Sequence, residues 1–143
     1  MTVRALPAAR ARAEEVIRVQ ATAARVACGQ MTALALRALR DSVERASCLP
    51  STPGWERKAA AHAEIFHLLA DAASNPAVTP QGSPVRVIRD MMRAVGPAAN
   101  GMITGSRRWL LACLGAGDAD GAAQEIESHL RALHYMALLV PHH

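Results

Sequence analysis

Breaks in the helical pattern constrain this chain more than any other feature. Gly29, the Leu-Pro-Ser-Thr-Pro-Gly stretch at 49–54, the turn formers Thr79-Pro80-Gln81-Gly82-Ser83-Pro84, Gly96-Pro97, the Gly115-to-Asp118 turn and Pro141 divide it into six segments. Within the segments apolar residues recur three or four positions apart, which places them on one face of an α-helix. The spacing predicts helices over about Ala11–Cys28, Met31–Ala46, Trp55–Ser74, Val85–Val95 and Ala98–Leu114, with a last one from the N-cap Asp118 to Pro141. Val16, Val19, Ala23, Val26 and Ala27 line the first helix, and Leu34, Leu36, Leu39 and Val43 are expected to point inward from the second. Asn75-Pro76 reads as the stop of the third, and Gly101 and Gly105 weaken the fifth. No stretch alternates as a strand does, so the expected fold is all-α, a compact antiparallel bundle of about six helices.

Composition agrees. Of the 143 residues 51% are hydrophobic but only 3% aromatic; Ala, Leu, Val and Met supply the core, as in closely packed helices. No run approaches the roughly 20 apolar residues of a membrane span. The first residues lack the apolar core of a secretory signal, which points to a cytoplasmic protein. Cys28, Cys48 and Cys113 are an odd, scattered set with no CxxC pair, and read as free thiols rather than disulfides or zinc ligands. The net charge of +4 comes from arginines spread over every segment, with Lys58 the lone lysine. Without interleaved aromatics this is a solvated surface and not a nucleic-acid track.

Few residues carry chemistry. Glu64 and His67, three apart in His62-Ala63-Glu64-Ile65-Phe66-His67, share a helix face suited to two ligands of one metal. His129, flanked by Ile126, Leu130 and Leu133, is the inward histidine of the last helix, whereas His134 lies nearer the edge of that stripe. Imidazoles from two helices with a carboxylate suit Zn, Ni or Mn; hydrogen-bonded helix histidines are the alternative. Catalytic signatures such as GxSxG, a P-loop, HExxH or GxGxxG are lacking, and no cysteine has a neighbouring histidine to activate it, so an enzyme is not expected. Arg107-Arg108, before Trp109, suits an anion or a stacked indole.

Four segments in order resemble a known family. Glu64-Ile65-Phe66-His67-Leu68-Leu69-Ala70-Asp71-Ala72-Ala73-Ser74-Asn75-Pro76, Trp109 to Asp118 ending in Leu114-Gly115-Ala116-Gly117-Asp118, Ala122 to Leu130 ending in His129-Leu130, and Ala23-Ala24-Arg25-Val26-Ala27-Cys28 are similar to signatures of FCD domains. These are the effector-binding domains of FadR-type GntR transcription regulators. The resemblance spans about residues 13–138 and divides the chain into an N-terminal extension, 1–12, and an FCD-like ligand-binding domain, 13–140. It implies a C-terminal-domain-like FadR fold, a small organic acid as effector, and a homodimer or a heterodimer with full-length GntR-type regulators. It also implies a divalent metal held by an Asp and a His one turn apart and by two later histidines. His67 and His129 match two of those ligands, but Ala63 stands at the Asp position and Arg107 at the middle His.

Glu64 is one residue out of register for the Asp, about 100° around the helix, unless His62 contributes instead. A permanent guanidinium repels a metal ion, and Arg107 is expected to fork onto the effector carboxylate in its place. The expected ligand-binding set is thus His67, Arg107, His129 and Glu64, with His67 and His129 the remains of a degenerate metal site. Too few residues precede the first helix for the family's winged helix, so no operator binding by that route is expected. The competing reading is a stand-alone helical protein-interaction module with a vestigial ligand or metal pocket.

Overall fold

The computed structural model describes residues 5–73 and 84–140. They form six α-helices: α1 (Ala5–Gly29), α2 (Ala33–Cys48), α3 (Trp55–Ala73), α4 (Pro84–Val95), α5 (Asn100–Ala116) and α6 (Ala119–Leu139), with a 3-10 turn at Pro97–Ala99. The all-α expectation holds, and no strand occurs among the described residues. The helix α1 starts six residues before the apolar pattern does, because the Ala- and Arg-rich stretch ahead of Ala11 has strong helix formers, while residues 7–12 bury no side chain to betray it. The Asn75-Pro76 stop, the loop at 79–83 and the terminal Pro141-His142-His143 lie outside the described residues.

The helix boundaries have local causes. Thr32 caps α2 by accepting from the Ala35 amide through Oγ1 at 3.0 Å. At the α5 end Gly117 adopts φ 72°, and the amides of Gly117 and Asp118 return to the carbonyls of Leu114 and Cys113. This is a Schellman closure that an L side chain at Gly117 would strain. Asp118 then caps α6, accepting from Gly121 N at 2.9 Å.

The helices α1 and α6 pack along each other and are clipped at the surface by Arg25–Asp120 and by Arg131, whose Nη1 lies 2.6 Å from Glu14. Helix α3 lies against α1, α2 and α4, while α5 packs on α2 and α6. Trp55 pins α3 to α4 by donating to the Met92 carbonyl at 2.8 Å. The core runs through Ile17, Leu39, Phe66, Ile88, Met92, Ile103, Leu110, Ile126 and Leu130. Leu34, expected inward, is 75% exposed. It sits in the first turn of α2, where no other helix reaches over it, and only Leu39, Ser42 and Ala46 of that helix are buried. Among the described residues no helix is long and apolar enough to cross a membrane.

Candidate functional site

The interior of this bundle is mostly apolar, and three of its buried polar side chains come from helices that converge. Arg107 (α5) is 1% exposed, His62 (α3) 2% and His129 (α6) 4%. The buried stripe of α3 sets the first of these. Trp55, Ala59, His62, Phe66, Leu69 and Ala73 recur at three- and four-residue steps, so His62 is one turn before Phe66 on the core side. Arg107 lies beside Ser106 in the middle of α5, and His129 sits between Ile126 and Leu130 on the inward stripe of α6.

The Arg107 guanidinium stacks over the Phe66 ring, 5.0 Å from its centroid, and its Nη2 donates to the main-chain oxygen of His62 at 3.1 Å. Nε and Nη1 have no hydrogen-bond acceptor among the described residues, nor do the ring nitrogens of His129 and His62 have hydrogen-bond partners there. Burial lowers the Arg107 pKa to about 10, partly countered by Glu125 on α6, so the group stays cationic at neutral pH. Burial, then Arg107, then Lys58 push His62 down to about 4, against a smaller opposing pull from the Asn100 side chain. Burial, then Arg107, then His62 hold His129 well below its ordinary value. The cluster at neutral pH is therefore one buried cation between two neutral imidazoles, with the Ser106 hydroxyl also unpaired. Lys58, 4% exposed, faces away from the guanidinium: its Nζ donates to the carbonyls of Leu49 at 2.7 Å and Ser47 at 3.3 Å, closing the end of α2. Helix α2 roofs the cluster with Ser42, Val43 and Ala46 over a cleft of about 130 Å³ that His62, Ile65 and Arg107 also line. The cleft is too narrow at every point to admit a water molecule.

The structure brings Arg107 and His129 together, and it puts His62 with them in place of His67. His67 and Glu64 are both exposed. His67 follows Phe66 by one residue, about 100° around α3, and so turns away from Arg107; Glu64 lies on the far side of the same helix. The signal that picks out His62 is its four-residue step to Phe66, which the Phe-His resemblance outweighed. His134 lines a separate groove among α1, α4 and α6 with Arg12, Met91 and Leu138.

A family model, the FCD domain, matches residues 16–132. The chain belongs to the FCD family. FCD domains are normally the effector-binding C-terminal part of GntR-family regulators. Curated proteins and solved structures yielded no match to this one.

The donor set of this FCD domain does not fit the divalent metal that the resemblance implied. Among the described residues no three His, Cys, Asp or Glu side chains gather to hold an ion. Where a neutral ligand is needed stands a buried guanidinium, which at 4 Å and an effective dielectric constant of 20 opposes a dication by about 8 kcal/mol. What the arrangement can do is accept an anion, because every unpaired group on Arg107 is a donor.

Proposed function

We propose that this FCD domain senses a small organic acid through Arg107, His62 and His129, and that it does so as the non-catalytic, cytoplasmic effector module of a GntR-type regulator. Dimerisation with a second copy or with a full-length relative would carry the signal onward. One observation supports the reading above the others: Arg107 is a fully buried charge with a single backbone acceptor among the described residues. Stripping a guanidinium of water costs several kcal/mol, and folded proteins ordinarily recover it with a carboxylate partner. Here none of the described carboxylates makes an ion pair with it, and Glu125 acts only from a distance. A ligand carboxylate supplies the missing charge and acceptors at once.

The closed cleft under α2 favours a second reading, an interaction module with a vestigial pocket, since a ligand enters only if α2 yields. Thermal denaturation against formate, acetate, propionate and succinate, each matched by sodium chloride at equal ionic strength, separates the two. A ligand at 100 times its Kd adds about 2.7 kcal/mol of stability. A transition that none of the four acids moves beyond the chloride control refutes the effector reading.

A further inference from the structure

We infer that carboxylate recognition by this domain is metal-independent, with the buried Arg107 guanidinium supplying in one side chain the positive charge that a divalent ion would otherwise bring. The inference rests on the effector reading above and narrows it to a ligand class: a small monocarboxylate, bound without a cation.

Three observations lead there. The first is place. Arg107 meets His129 and His62 inside the bundle, so the guanidinium occupies the convergence point of α3, α5 and α6 and is no surface neighbour of it. The second is fixation. Phe66 beneath the guanidinium plane and the His62 carbonyl at Nη2 hold it on two sides, leaving Nε and Nη1 to donate. A planar fork held this way keeps its charge and direction without a metal's coordination sphere. The third is the balance of donors and acceptors. Arg107 offers only donors, each neutral imidazole offers one donor and one acceptor, and among the described residues no carboxylate pairs with the guanidinium or completes a cation site. One positive charge calls for one negative charge, which a monocarboxylate provides. A dicarboxylate leaves its second charge desolvated beside apolar Ile65, Val43 and Ala46.

The experiment is titration calorimetry of the whole chain with sodium acetate and, in parallel, formate, propionate and succinate. Each is run after EDTA treatment and again with added Zn²⁺, Ni²⁺ or Mn²⁺, sodium chloride serving as the ionic-strength control. The expected result is monocarboxylate binding in EDTA, changed less than twofold by any metal and weaker by at least tenfold for succinate. Arg107→Met, with its helicity verified by circular dichroism, loses that binding by 30-fold or more, and Arg107→Lys retains part of it. Binding abolished by EDTA and restored by a metal overturns the inference while leaving the effector reading intact. Undiminished binding by a folded Arg107→Met overturns it too. Silence from all four acids, with and without metal, overturns both.

Discussion

Arg107 Nη2 donates to the main-chain oxygen of His62 at 3.1 Å, and that carbonyl is the sole protein acceptor of the guanidinium among the described residues. A helix carbonyl has a second lone pair to offer, so the bond costs α3 nothing, but it returns only part of what desolvating a cation takes. The site is therefore held at a local disadvantage that a bound carboxylate would relieve.

Replacing Arg107 with Met makes that disadvantage measurable. Apolar residues of similar volume commonly match or improve on buried charges. Arg107→Met is expected to raise the free energy of unfolding by about 1–3 kcal/mol while abolishing the response to carboxylates. Urea denaturation checks the first half. A loss of several kcal/mol would show instead that the guanidinium is a structural keystone.

Acid should weaken the fold through the two buried imidazoles. Unfolded, both take up a proton near pH 6.5; folded, His62 does so only at about 4, and His129 well below its ordinary value. The unfolded chain binds more protons in this window. Stability present above pH 6.5 is accordingly lost as the pH falls towards 4, by up to about 3 kcal/mol for His62 alone. Urea midpoints between pH 7.5 and 4.5 should fall with that slope, and His62→Leu should flatten it. A wild-type curve level across the window contradicts the buried, neutral assignment.

Element existence was readable from apolar spacing and breakers alone, since all six helices rest on a stripe that tertiary packing had no reason to override. Two kinds of feature were not. The start of α1 is invisible because residues 7–12 bury no side chain, and Leu34 looks like core but is exposed. In the candidate site, Arg107 was picked out by the resemblance, at the position of the family's middle histidine, and His129 by its place within an apolar stripe. His62 was hidden by its neighbour. Two histidines five residues apart differ by about 140° in direction, and only the phase of Trp55, Phe66 and Leu69 tells which one faces inward. Lys58 gave no signal at all, because a cation buried by capping a neighbouring helix leaves no local pattern.

His67 and Glu64 supply the direct test of that phase. Both are exposed, so His67→Ala and Glu64→Ala should each change stability by less than about 0.5 kcal/mol and leave carboxylate binding within twofold of wild type. His62→Ala should weaken binding at least tenfold. The reverse pattern in calorimetry would restore His67 to the pocket.

Lys58 is expected to govern access. Its Nζ holds the carbonyls of Ser47 and Leu49 at the end of α2, a helix with three fully buried side chains and with Leu36 and Val43 partly buried against the core. Lys58→Met removes both bonds and should cost about 2 kcal/mol. Hydrogen exchange should quicken in α2 more than in α6, and carboxylate association should speed up, because α2 must lift for the cleft to fill. Uniform acceleration over all helices would mean that α2 is not a separate opening unit.

Glu125 offers the cleanest sign. This half-buried carboxylate on α6 favours the charged form of Arg107 and makes no hydrogen bond with it, so it stabilises the cation while repelling an incoming anion. Glu125→Gln keeps the shape and removes the charge. A long-range interaction of roughly 0.5–1 kcal/mol translates into a carboxylate affinity two- to fivefold higher, together with a slightly less stable free protein. A site that bound a metal-held carboxylate would respond oppositely, because losing a nearby negative charge weakens the hold on a dication. Calorimetry of Glu125→Gln with acetate, in EDTA and in Zn²⁺, therefore distinguishes a guanidinium site from a metal site by the direction of the change alone.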